Sequence, residues 1–168
     1  MRLLGLDPGL RITGWGVLET HGNRLVWIAD GTVTSDDKLS LAERLAQLSR
    51  GIAGIIDRFA PEEAAIEETF VNKNPASTLK LAQARGAVLC AAGLAGIAVA
   101  EYAPSLVKKS VVGGGQAIKG QVGMMVRTLL PPCEIATEDA ADALAVAICH
   151  AHHRGHAGMV RKLAELAR

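Results

Sequence analysis

The chain opens with a short apolar run, Arg2 to Leu6, that stops at Asp7-Pro8-Gly9, a strong turn signal; this predicts a first strand with Asp7 at its carboxyl end. Thr13 to Glu19 and Leu25 to Thr34 read as two further strands joined through Thr20-His21-Gly22-Asn23, which predicts an antiparallel meander. A helix follows. Ser40 is placed to cap it, Glu43 to complete a capping box, and Leu41, Leu45, Leu48, Ile52, Ile55 and Ile56 form one apolar stripe. After Pro61, Glu63 to Glu68 predicts a short buried strand, parallel to the first because a helix crosses over between them.

Asn74-Pro75 combines a capping side chain with proline at the first helical position and predicts a helix to about Gly93 that is crowded with small residues. Ile97 to Tyr102 reads as a fifth strand. A helical segment from Pro104 to Val112 comes next, then a break at Gly113-Gly114-Gly115, then a helix near Ala117 to Leu130 that Pro131-Pro132 stops. Within that helix Gly120 and Gly123 are each expected to cost about 1 kcal/mol relative to alanine. Thr137 can cap a last helix carrying Asp139, Ala140, Ala141, Asp142, Leu144, Ala145 and Ile148. The pattern weakens after Gly155. Three antiparallel strands followed by strands alternating with helices predict an α/β fold, a five-stranded mixed sheet with helices on both faces.

Composition narrows the class without naming a function. With 168 residues, 49% apolar and 21% charged, one domain that buries its own core is the default. No stretch is apolar over the roughly 18 residues that a membrane span needs, and the amino terminus runs straight into a strand pattern, so a cytoplasmic protein is expected. Cys90, Cys133 and Cys149 share no metal-finger spacing, which suits free thiols in a reducing compartment. Cys149, His150, His152, His153 and His156 invite a zinc reading, but no partner ligand pair stands elsewhere, and histidines at a helix carboxyl end are the simpler expectation.

The net charge of +1 conceals an asymmetry. Between Thr69 and Leu130, seven basic residues (Lys73, Lys80, Arg85, Lys108, Lys109, Lys119 and Arg127) face one acid, Glu101, a net +6; the remainder is −5. The middle of the chain is therefore the natural footprint for a polyanion.

Hydrolysis of a phosphodiester requires an activated water, charge neutralisation at phosphorus and stabilisation of the leaving alkoxide, all of which two hard cations can supply. Magnesium takes oxygen ligands, so a few carboxylates hold such a pair. Asp7 ends the first strand, Glu67 or Glu68 ends its predicted parallel neighbour, and Asp139 with Asp142 stand at i, i+3 on one helix face. Alternation along a strand sends Glu67 and Glu68 to opposite faces, and the pattern does not say which of them joins the set. The run Asp139-Ala140-Ala141-Asp142-Ala143-Leu144-Ala145 implies a closely packed helix, on which acids need a partner or a metal. Asp7-Pro8-Gly9 alone is a weak signal, since a strand ending Gly-x-Asp-x-Gly also occurs in actin-like ATPases; those have two such halves, and this chain has one. Gly113 to Gly120 lacks the residue order of a phosphate loop.

Taken together, these segments resemble the RuvC family of Holliday junction resolvases, the crossover junction endodeoxyribonucleases. The likeness runs from Leu4 to about His153: Gly5-Leu6-Asp7-Pro8-Gly9, Ala65-Ile66-Glu67-Glu68-Thr69-Phe70, Lys73-Asn74, Leu79 to Gly86, Tyr102, Val107-Lys108, Val111-Val112-Gly113, Met125-Val126-Arg127 and Asp139 to Ala145. The resemblance implies a ribonuclease H-like nuclease domain over residues 1–155, with 156–168 a tail of no assigned role. It further implies a homodimer, two Mg2+ ions per active site with Mn2+ as a substitute, and paired symmetric cuts in four-way junction DNA during recombination and repair. The RuvA and RuvB branch-migration proteins are its implied partners.

The family's second carboxylate stands three residues before an aromatic, which selects Glu67, three before Phe70. Asp7, Glu67, Asp139 and Asp142 are then the expected catalytic and metal-holding residues. Phe70 aligns with an aromatic used near the junction centre, and Lys108 and Lys119 with positions close to the scissile DNA. Lys73, Lys80 and Arg85 are expected on backbone phosphates, with Arg85 alternatively serving the dimer. The helix from Asn74 to Gly93 resembles the family's dimer helix. Two other readings remain at this point, a junction-binding protein without catalysis and a related enzyme of ribosomal RNA processing; the intact acids weigh against the first, and the Phe70 and Lys73-Asn74 segment against the second.

Overall fold

Leu3 and Leu4 are adjacent on the first strand and both fully buried, yet they belong to two different cores. Side chains alternate across a strand, so a sheet in which both neighbours are buried must be covered on both faces. The computed structural model describes residues 1–69, 74–114 and 120–166, with side chains through Arg154. Its strands are β1 (Arg2–Asp7), β2 (Ile12–His21), β3 (Arg24–Thr34), β4 (Glu63–Glu67) and β5 (Ala98–Tyr102), and its helices α1 (Leu41–Phe59), α2 (Pro75–Leu94), α3 (Pro104–Val112), α4 (Gln121–Leu129) and α5 (Glu138–Leu166).

The sheet order is β3-β2-β1-β4-β5. The pairs β1–β2 and β2–β3 are antiparallel, and the pairs β1–β4 and β4–β5 are parallel. This is the expected mixed sheet. β2 and β3 each extend past the expected ends, so that His21 pairs with Arg24 and only Gly22-Asn23 turn the chain, Gly22 at φ 61°. Leu4, Leu6, Val17, Ala64 and Ile66 bury against Ile52 and Ile56 of α1 and Val88, Ala91 and Ala92 of α2. Leu3, Leu18 and Ala65 bury against α3, α4 and α5 on the opposite face.

Local signals account for the helix starts. Ser40 accepts from the Glu43 amide while Glu43 reaches back to the Ser40 amide, the capping box expected for α1. The Asn74 side chain accepts from the Ala76 and Ser77 amides, with Pro75 at the first helical position of α2. Thr137 Oγ1 accepts from the Ala140 amide at 3.1 Å and opens α5.

Two expectations are corrected. Gly120 does not lie inside a helix: it is the N-cap of α4 at φ 81°, a conformation glycine adopts without strain, so the interior penalty applies to Gly123 alone. Residues 115–119, where the start of that helix was expected, lie outside the described residues. The histidine cluster does not mark a helix end, because α5 continues to Leu166. His150 is instead buried mid-helix, with Nε2 2.8 Å from Glu63 Oε2 and Nδ1 2.9 Å from the Tyr102 hydroxyl. Arg154 donates twice to the same Glu63 carboxylate, at 3.0 and 3.1 Å. These bonds fasten α5 to β4 and β5.

Candidate active site

The site grows from where β1 and β4 end. Asp7 is the last residue of β1, and the parallel register that sets Leu6 beside Ile66 brings Glu67, the last residue of β4, to the same level. The turn after Asp7 is held by Thr13, a buried residue whose hydroxyl donates to the Gly9 carbonyl at 2.9 Å and accepts from the Gly9 amide at 3.3 Å. Asp7 and Glu67 share a cleft of about 220 Å³ with Pro8, Glu68, Thr69, Leu81 and Pro104.

The third side comes from α5, which comes close to the acids because glycines of β1 and β2 lie beneath its first turns. A Cβ on Gly5 would stand 2.0 Å from the Ala143 carbonyl oxygen, one on Gly14 2.0 Å from that of Asp139, and one on Gly16 2.6 Å from the Leu144 side chain. Gly14 is also the β2 partner of Asp7. Backbone on backbone, the first turns of α5 lie over β1 and β2, and the spacing of Asp139 and Asp142 puts both on one helix face. The small residues Ala143 and Ala147 are the helix side of the Gly5 contact, and both are fully buried.

The carboxylates interact strongly. The Asp7 pKa is raised to about 7, first by burial and then by the nearby charges of Glu67, Asp142 and Asp139. Glu67 is pushed up to about 6, first by burial and then by Asp142, with the Lys108 ammonium pulling the other way. Asp142 is raised by burial, by Asp139 and by Glu138, again against Lys108. Like charges crowded in a half-dry cleft hold protons near neutral pH unless a cation displaces them. Among the described residues no three acidic, histidine or cysteine side chains close on one point as a finished ligand shell. The donor set still fits a hard divalent ion, since every donor is a carboxylate oxygen and the raised pKa values report negative charge that Lys108 offsets only in part.

The basic residues fall into three groups. Lys108, exposed on α3, is near enough to Glu67 and Asp142 to act on both. Lys80 is exposed on α2. Arg85, expected on phosphates or at a dimer contact, is engaged within the chain: its Nε donates to the Glu67 carbonyl at 3.0 Å and its Nη2 to the Glu101 carboxylate. Phe70, Lys73 and Lys119 lie outside the described residues. Sequence reasoning missed Thr13, Gly14 and the inward role of Arg85. Glycines two apart on a strand, Gly14 and Gly16, were the available signal, because alternation puts both on the same face.

A mixed sheet of this order, with acids at the ends of two central parallel strands and on the helix packed across them, defines a ribonuclease H-like fold with an acidic cleft. The crossover junction endodeoxyribonuclease RuvC family model matches residues 3–150, and the chain belongs to that family. It is 69% identical over 157 residues to the crossover junction endodeoxyribonuclease RuvC of Rhodospirillum rubrum, covering 94% of this chain and 93% of the relative. It is 65% identical over 155 residues to that of Paramagnetospirillum magneticum, covering 92% and 93%. The structure of Thermus thermophilus RuvC in complex with a Holliday junction substrate superposes with a TM-score of 0.85 at 34% identity, over 92% of this chain and 94% of that one. The yeast mitochondrial Holliday junction resolvase Ydc2, 13% identical with a TM-score of 0.61, shares the fold. Among the described residues, no helix is long and apolar enough to cross a membrane.

Proposed function

We propose that this chain is a cytoplasmic, magnesium-dependent endonuclease that resolves four-way DNA junctions by paired symmetric cuts, in recombination and repair, with manganese able to replace magnesium. The observation that carries the reading is that Asp7 and Glu67 line one cleft, with Asp142 and Asp139 of α5 near enough to raise the Asp7 pKa. When bound, two divalent cations supply an activated water and stabilise the leaving alkoxide. Asp7, the deepest member, anchors the set from the sheet, Glu67 closes it from β4, and Asp139 and Asp142 close it from α5. Lys108 stands at the rim, where its charge faces an incoming phosphate and holds Glu67 and Asp142 toward their ionised forms. Lys80 extends the basic approach, joined in this reading by Phe70, Lys73 and Lys119 as DNA contacts. The nuclease domain is assigned to residues 1–155, and residues 156–168 carry no assigned role.

The active form is a homodimer through α2. Leu79 and Leu94 are 62% and 83% exposed, and Gly86 and Cys90, also exposed, continue the same stripe at helical spacing. Gly86 has open space where a side chain would be, so a second helix can approach its backbone. A two-fold axis there would present two clefts to the two strands of one junction. Branch-migration proteins of the RuvA and RuvB type are the expected partners.

Purified protein incubated with a synthetic four-way junction and with linear duplex, with and without Mg2+, tests the reading. Symmetric nicks in the junction only, and only with the metal, are expected. Binding without cleavage under all divalent ions would reduce the protein to a junction-binding module.

A further inference from the structure

We propose that Arg85 is a positioning residue for Glu67, linking the placement of α2 to the geometry of the acidic cleft; this rests on the reading of Glu67 as a cation-holding carboxylate. Three observations carry it. First, Glu67 is where β4 ends, and its own carbonyl accepts a hydrogen bond from Arg85 Nε at 3.0 Å. Second, the other end of the same guanidinium is fixed on Glu101 of β5, whose strand partner is Ile66, the residue before Glu67. The planar fork thus spans the two parallel strands at their carboxyl ends, and a guanidinium holds two acceptors at a set separation in a way an ammonium cannot. Third, the Arg85 side chain is only 17% exposed, so its charge is committed to Glu101 and not offered to DNA.

The consequence lies in the backbone. Beyond Glu67, among the described residues, the Glu68 amide continues the β4–β5 contact by donating to the Tyr102 carbonyl at 2.9 Å. The Arg85 bond sits on the peptide that sets the direction of the Glu67 Cα–Cβ bond. It originates from the helix whose outer face carries the exposed Leu79–Leu94 stripe. Removing it frees the peptide to rotate, and the carboxylate then meets a cation in a poorer pose. Partners that orient metal-binding side chains typically contribute 10- to 100-fold in metal affinity or activity.

The test compares wild type, R85A, R85K and E101Q in full-length protein. It reads junction cleavage as a function of Mg2+ concentration, junction binding in metal-free buffer, and melting temperature. R85A is expected to raise the half-saturating Mg2+ concentration about 10-fold or more, with metal-free junction affinity within about twofold. R85K should recover only part of the loss, and E101Q, which keeps the carbonyl bond but loosens its anchor, should shift the same way by less. An unchanged Mg2+ dependence in R85A overturns the proposal. So does a loss confined to junction affinity, which would make Arg85 a phosphate contact. If R85A does not fold, R85K and E101Q decide by the same criteria, an unshifted Mg2+ midpoint in both overturning the proposal. E67Q runs alongside: wild-type cleavage by E67Q would defeat the underlying site reading, whatever Arg85 does.

Discussion

The carbonyl oxygen of Asp139 lies 2.0 Å from where a Cβ on Gly14 would stand, and Gly14 is the strand partner of Asp7. Gly14, with Gly5 and Gly16, therefore lets the helix acids come close to the sheet acid. Gly14→Ala is expected to push the start of α5 off β2, costing about 1–3 kcal/mol of stability as an overpacked contact. Cleavage should fall further than stability explains, because Asp139 and Asp142 move with the helix. Thermal melts and junction nicking on the same preparation check this; a folded variant with wild-type cleavage would show that the close approach does not set the site.

Asp7→Asn is expected to lower cleavage by about 10³-fold or more, the scale of losing several kcal/mol of charge stabilisation at the reacting phosphate. Junction binding in a gel shift should stay nearly intact, since the basic residues of the middle segment are untouched. The same variant should be more stable than wild type in metal-free buffer at neutral pH, as it removes the most crowded charge.

Stability should depend on pH in a specific direction. Asp7 has a folded-state pKa of about 7 against 3.8 unfolded, and Glu67 about 6 against 4.5. A raised carboxylate pKa means that the folded state binds more protons between the two values, so metal-free stability falls as pH rises through the window from about 4 to about 7. For Asp7 the effect is at most about 4 kcal/mol, and less to the extent that water enters the cleft. Asp7→Asn should flatten most of that slope. Added Mg2+ should raise the melting temperature more at pH 8 than at pH 5, because it competes with protons for the same oxygens.

Leu94→Glu places a charge on the most exposed apolar position of α2 and is expected to convert a dimer to a monomer in light scattering without lowering the monomer's own stability by more than about 0.5 kcal/mol. Paired cutting should then give way to single nicks. An unchanged dimer mass would move the interface elsewhere.

Much of this architecture was legible in the sequence because local signals and burial agreed. The Ser40–Glu43 box, Asn74-Pro75 and Thr137 each placed a helix start, a short apolar run stopped by Asp7-Pro8-Gly9 placed β1, and a short buried segment after Pro61 placed β4. The acids were legible as candidates, and the resemblance chose Glu67 over Glu68. Nothing local reveals that Arg85 turns inward to Glu67 and Glu101, since an arginine on a helix in a basic segment reads equally well as a phosphate contact. Gly120 was misjudged because an N-cap at positive φ and an interior glycine look alike without the helix start. His150 was misjudged because the helical pattern fades after Gly155 while the helix does not.

Calorimetric titration of Mg2+ or Mn2+ into the protein tests whether the four carboxylates of β1, β4 and α5 together hold divalent cations. At pH 6.5 wild type is expected to bind saturably with release of protons, and Asp7→Asn to lose both the binding and the proton release. Equal binding by the two proteins, or binding without proton release, would contradict that shared site.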